Sequence, residues 1–233
     1  MFVCRNWEPQ NGLLGRVGLI ICVLAMPHLA KADSIYTSFV GGATYDCCVG
    51  SSVSGTAATN VGVLAGNNEA AGAFTPAADF DLTQIDVGFW FVGSPNSDEF
   101  TLSLSPDSGG MPGTAIETWT ALIAPFQSSG TSSLVEPVMP VSPVELIGGS
   151  QYWIVATPTD SNTFVVWSYN LPGTGPGGIF AQNTGSGWSV FDSSIETLAF
   201  DVEGTEVPEP GTLSLLVVGL LGIGYAIKRK LCE

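Results

Sequence analysis

Phe100-Thr101-Leu102-Ser103-Leu104-Ser105 alternates apolar and hydroxyl side chains at every step. A strand points successive side chains to opposite faces, so this stretch reads as a half-buried strand with Phe100, Leu102 and Leu104 turned to the core. Directly after it comes Pro106-Asp107-Ser108-Gly109-Gly110-Met111-Pro112-Gly113, dense in turn formers. Ahead of it, residues 85–91 repeat the pattern, with Ile85, Val87, Phe89 and Phe91 on one face and Asp86 and Gly88 on the other. Working outward, short strands are expected at 34–39, around Ala73-Phe74, and at 115–120, 144–146, 152–157, 164–169, 188–191 and 197–202. Tyr152-Trp153-Ile154 reads as buried on both faces. The Gly/Ser/Ala-rich stretch 41–68 reads as loop, with Val61, Val63 and Leu64 as a candidate strand inside it. Nothing inside 33–206 shows a 3.6-residue period or helix caps. Short strands separated by Gly, Pro, Ser and Asn turns predict an all-β fold, an antiparallel β-sandwich of jelly-roll-like type.

Both ends of the chain differ from this body. Arg5 and Arg16 precede an apolar run over 17–26 that Pro27 breaks, and Ala30-Lys31-Ala32 places small residues where a signal peptidase reads. Residues 1–32 therefore read as a secretory signal peptide cut between Ala32 and Asp33, although the leading region is long and carries Glu8. At the other end, Val207-Pro208-Glu209-Pro210 should close the folded domain, because Pro208 and Pro210 lack amide donors and favour extended chain. The uncharged run 212–227 follows, closed by Lys228, Arg229 and Lys230. As a helix it would be roughly 24 Å long, against a hydrocarbon core of about 30 Å. Local thinning and snorkelling of the flanking lysines would meet the difference. The basic cluster holds the tail cytoplasmic and sends everything before Pro208 outward. A buried core helix is the alternative, and the terminal position and basic stop speak against it.

Pro-Glu-Pro, a Gly-rich apolar segment and a basic stop together closely resemble the PEP-CTERM sorting signal of bacterial exported proteins. The resemblance covers 207–233. It implies an exosortase, an intramembrane transpeptidase-like enzyme, as partner, with processing near Pro208-Glu209-Pro210 in an exopolysaccharide-producing, Gram-negative cell. The organisation expected is a signal peptide over 1–32, an exported β-sandwich domain over 33–206, and a sorting signal over 207–233 with its transmembrane helix at 212–227. Such a protein would be exported, held at least transiently in the inner membrane by its C-terminal helix, and then placed at the cell surface or in the extracellular matrix.

Charge is divided just as sharply. All six basic residues (Arg5, Arg16, Lys31, Lys228, Arg229 and Lys230) lie in the two end segments. Of 21 acidic residues only Glu8, Glu209 and Glu233 lie outside 33–206, which leaves eighteen carboxylates and no Lys or Arg in the body. Such a body repels nucleic acid and anionic lipid. Among the cysteines, Cys4 and Cys22 fall in the signal peptide and Cys232 on the cytoplasmic side, so only Cys47-Cys48 reaches the oxidising compartment. The adjacent pair closes a strained ring, joins two chains or stays reduced. It has no partner cysteine or histidine with which to make a metal site.

The body carries a looser resemblance of its own. AFTPAADFDLTQIDVGF, then FTLSLSPDSGGMPGTAIETW, then VELIGGSQYWIVA is similar to the choice-of-anchor R type of bacterial surface domain, over 71–204, with Trp167 and Gly187-Trp188 where that family carries aromatic residues. The resemblance implies the β architecture and a surface location, and says nothing of biochemical activity.

The composition excludes most catalysis. The one histidine, His28, leaves with the signal peptide, and no lysine remains in the body. Ser-His-Asp and Cys-His sites, Ser-Lys dyads and His-ligated zinc are thereby unavailable to it. Two carboxylates could still serve glycoside hydrolysis, but nothing in the sequence marks a pair, and the expectation is a protein without enzymatic activity or cofactor. Calcium, which takes hard oxygen ligands, is a better candidate than catalysis, through Asp79, Asp81, Asp98 and Glu99, against the plain reading of solvated loop carboxylates. Trp90, Trp119, Trp167 and Trp188 are candidate sugar-stacking faces, against the plain reading of core tryptophans. The leading expectation is a structural or interaction role at the surface. A carbohydrate-binding module for exopolysaccharide, calcium-dependent or not, comes second, and a carboxylate-based glycosidase third.

Overall fold

A computed structural model of the chain describes residues 32–39, 45, 49–59, 66–91, 93, 95–125, 137–170, 176–194 and 196–207, together with 216, 219–221 and 223. The chain divides into two units, Met1–Lys31 and Ala32–Glu233. The first unit, and with it Ala30 and the expected signal peptide, lies outside the described residues. So do Cys47 and Cys48, Val61, Val63 and Leu64, the motif residues Pro208, Glu209 and Pro210, and the basic stop Lys228, Arg229 and Lys230.

As far as Val207 the described residues of the second unit are all-β, built into three antiparallel sheets. Its strands are β1 (Asp33–Thr37), β2 (Gly50–Ser54), β3 (Glu69–Phe74), β4 (Phe80–Val87), β5 (Phe89–Phe91), β6 (Glu99–Pro106), β7 (Glu117–Ile123), β8 (Glu145–Leu146), β9 (Tyr152–Pro158), β10 (Phe164–Ser168), β11 (Gly178–Asn183), β12 (Trp188–Ser193) and β13 (Phe200–Glu206). They form a six-stranded sheet β12-β11-β3-β9-β6-β7, a four-stranded sheet β1-β13-β4-β8 and a three-stranded sheet β2-β10-β5. Gly88 joins the last two sheets, its N–H donating to Ala199 O at 2.9 Å and its carbonyl accepting from Ser168 N at 2.8 Å. In the C-terminal segment Leu216, Gly219, Leu220, Leu221 and Ile223 are helical, and most of 212–227 is outside the described residues. Among the described residues no helix is long and apolar enough to cross a membrane.

Period-two alternation decides which side chains meet. Phe100, Leu102 and Leu104 of β6 are fully buried, as are Ile85 of β4 and Phe89 of β5, while Val87 is nearly so. They share one core with Ile154 of β9, Val165 and Trp167 of β10, and Phe200 and Val202 of β13. The inner face of the six-stranded sheet thus packs against the inner faces of the other two. Phe89 stacks on Phe100 with ring centroids 4.3 Å apart and on Trp167 at 5.0 Å. Gly72 of β3 lets the Phe200 ring of the opposite layer approach its backbone, since a Cβ there would lie 2.6 Å from that ring.

Tyr152, Trp153 and Ile154 are buried on both faces, as their unbroken apolar run predicts. Trp153 lies on the outer side with Ala71, Ala73, Val155 and Ala181, and its Nε1 donates to Asp107 Oδ1 at 2.8 Å. That carboxylate also takes the Gly110 N–H at 3.0 Å on its other oxygen, closing the turn after β6. Gly109 and Gly110 have φ of 68° and 83°, a region that favours glycine and explains the pair.

Candidate functional site

Period-two alternation that turns Ile85, Val87, Phe200 and Val202 inward turns Asp86, Asp201 and Glu203 outward. In the four-stranded sheet Asp86 is the cross-strand partner of Asp201, and Glu203 that of Gln84. Ligand atoms of Asp86, Asp201 and Glu203 all lie within 4.8 Å of one another. Ser34 of the neighbouring β1 donates its Oγ hydrogen to Asp201 Oδ1 at 2.7 Å, and Gln84 Nε2 donates to both oxygens of Asp86 at 3.2 and 3.0 Å. Burial pushes the Asp201 carboxyl above its ordinary value, the Ser34 hydroxyl opposes this, and the Asp86 charge adds to it. The donor set is all oxygen, the chemistry of a hard divalent cation, but it supplies fewer than the six to eight ligands calcium takes.

None of the four carboxylates singled out for calcium belongs to this trio. Asp79 uses Oδ1 to accept the Gly148 N–H at 2.8 Å, and Asp81 is exposed one residue into β4. Asp98 and Glu99 are half-buried at the start of β6, in the six-stranded sheet. Sequence proximity proposed these pairs, whereas the trio comes from cross-strand register. The readable signal was the alternation in Asp201-Val202-Glu203, matching that of Ile85-Asp86-Val87. What it lacked was any sign that the two strands pair.

The tryptophans separate into two groups. Trp167 is fully buried, with Nε1 donating to Ala199 O at 2.9 Å, and Trp119 is buried with Nε1 donating to Met139 O at 2.7 Å. Neither presents a ring face to a ligand. Both are core residues whose polar edge is satisfied by backbone. Trp90 and Trp188 are half-buried on opposite layers. Trp90 packs with Ala58, Phe164 and Val166 on the outer side of the three-stranded sheet, and its buried Nε1 has no hydrogen-bond partner. Trp188 leans on the Ala71, Ala73 and Trp153 patch of the six-stranded sheet.

A third feature lies where the chain leaves the domain. The last residue pair of β13 is Glu206 with Phe80, and Val207 N then donates to Asp79 O at 2.9 Å. Asp79 therefore holds the outgoing chain with its carbonyl and the 147–149 loop with its carboxylate. Ala77, Ala78, Asp79, Gly148, Glu206 and Val207 line a cleft of about 240 Å³ at this point.

Residues 206–230 match the PEP-CTERM protein-sorting motif. The match begins at the last residue of β13 and spans the Pro-Glu-Pro sequence, the apolar run and the basic stop. It marks an exported protein sorted through an exosortase-type signal at its C-terminus. No curated protein matches the chain.

Proposed function

We propose that this protein is an exosortase substrate whose exported part is a two-layered β-sandwich with a structural or interaction role in the envelope or exopolysaccharide matrix, not a catalytic one. The observation that carries the reading is the sorting motif at 206–230, which begins at the last residue of the last strand of the folded body. Support for a non-catalytic body comes from its composition, since neither His nor Lys falls within 33–206 to serve as base or nucleophile. The turn at Asp107–Gly113 and the Tyr152-Trp153 strand support a surface domain of the choice-of-anchor R kind. In this reading the C-terminal segment is a transient membrane anchor, and signal peptidase and the processing enzyme act on opposite ends of one domain.

The test is a full-length variant with Pro208, Glu209 and Pro210 replaced by alanine, expressed in a host that carries the processing enzyme. Export should continue while the C-terminal segment stays attached, seen as a mass that retains 207–233. Normal processing of that variant would remove the reading. Titration of the secreted product with the host's own exopolysaccharide then separates a passive matrix protein from a binding module. Saturable binding lost on Trp90→Ala or Trp188→Ala would favour the module, those two being the candidate tryptophans with exposed surface.

A further inference from the structure

The sorting motif follows the folded body without a spacer. β13 is an internal strand, paired with β1 from Asp201 to Gly204 and with β4 from Phe200 to Glu206. The Val207 N–H adds one more bond, to Asp79 O. Enzymes that act on peptide bonds take their substrate as an extended strand and hold its main-chain groups on both sides of the bond. β13 is flanked on both sides as far as Gly204, and from Thr205 to Val207 it is still held on the β4 side, so the residues just before Pro208 must leave that neighbour to enter such a site.

The same end of the sheet also holds the start of the domain, since Asp33 is the partner of Gly204. Phe80 pairs with Leu146 here as well, and the Asp79 carboxylate anchors the 147–149 loop over it. The rim around Val207 is therefore built from three separate parts of the chain, 77–79, Gly148 and the end of β13 itself. It forms only once the domain has folded.

We propose that this junction acts as a latch on processing: the enzyme reaches Val207 and the residues before it only when the end of β13 opens, so the latch sets the processing rate. The inference rests on the exosortase reading above and adds to it a regulatory element, Asp79 with its hold on Val207 and Gly148. A completely folded chain is then processed no faster than the end of β13 opens, whereas a chain whose four-stranded sheet has not closed is open to the enzyme at once.

The test uses the full chain in the processing host, with a six-residue Gly/Ser spacer inserted between Glu206 and Val207, which leaves the Val-Pro-Glu-Pro sequence, the apolar run and the basic stop unbroken. Pulse-chase mass analysis follows loss of the C-terminal segment, and thermal unfolding confirms that the domain is unchanged. The spacer should speed processing about fivefold for each net backbone hydrogen bond it makes unnecessary to break. Asp79→Ala, which frees the loop but keeps the backbone bond, should give a smaller rise. A spacer variant processed at the original rate or more slowly overturns the latch, and leaves the exosortase reading standing if alanine at 208–210 still abolishes processing. If the alanine variant is processed as fast as the unaltered chain, the exosortase reading fails and the latch fails with it.

Discussion

Asp201 is the most informative single residue because burial and two neighbours act on it in different directions. Burial and the Asp86 charge raise its pKa above the ordinary 3.8, while the Ser34 hydroxyl lowers it. A carboxyl whose folded pKa is raised binds its proton more tightly in the folded state. Its contribution to stability is fully present below the ordinary value and is lost as pH rises through the raised one. Once ionised, that side chain faces Asp86 directly across the strand pair, where like charges are destabilising. Asp201→Asn should therefore stabilise the domain at pH 7 by about 0.2–1 kcal/mol, because the amide oxygen still accepts from Ser34. It should also flatten the fall in stability on raising the pH from just below 4 towards neutral. Urea unfolding of both proteins across that range measures it, and an unchanged slope would show that Asp201 is not the titrating group. Asp86 was legible from sequence as an outward-facing residue. Its meeting with Asp201 was not, because 114 intervening residues separate two strands whose pairing only the fold reveals.

Among the elements, the sheet edges repay comparison. β7 and β12 close the two ends of the six-stranded sheet, and they are treated differently. β7 carries a register shift opposite Phe100 and Leu102, and within it Ala121 has φ of 56°. A bulge of this kind twists an edge away from further pairing. It costs a residue with a Cβ roughly 1–2 kcal/mol in the left-handed region. Ala121→Gly should thus stabilise the domain by about 1 kcal/mol, read as a rise in the unfolding midpoint with an unchanged denaturant slope, while a loss of stability would mean that the Ala121 methyl group matters more than the backbone. β12 pairs with β11 without any shift and leaves Val190 and Phe191 exposed. The strands that sequence made legible are β4, β5 and β6, by their strong alternating pattern, and β9, by its unbroken apolar run. Gly50–Ser54 reads as loop because four of its five residues are Gly or Ser, yet pairing with β10 makes it strand β2 and buries Val53 completely. β11 escaped for a similar reason: its Gly-Ile-Phe-Ala-Gln-Asn has too short an apolar core to show a period, and β3 and β12 on either side supply the order. In both cases hydrogen bonding to neighbours overrides a weak local preference.

For the molecule as a whole, charge separates body from ends more completely than any structural boundary does. Eighteen carboxylates and no Lys or Arg lie between 33 and 206, since only Glu8, Glu209 and Glu233 of the 21 acidic residues fall elsewhere. A compact body of one sign repels itself more strongly than its unfolded chain does, because folding brings the charges closer together. At about 10 mM salt the screening length is roughly 30 Å, comparable to the domain, and at about 150 mM it is near 8 Å. The unfolding temperature of the processed domain should rise between those two conditions, by about 2–4 °C for each 1 kcal/mol of repulsion relieved. Sodium chloride measures the general screening. Calcium chloride at matched ionic strength measures what a divalent ion adds at the Asp86, Asp201 and Glu203 trio. Equal rises with the two salts would mean that the trio is no more than a point of repulsion, relieved by screening alone. A larger rise with calcium that disappears in Asp201→Asn would place an ion there, and would tie the stability of the exported domain to the divalent cations of the medium it is sent into.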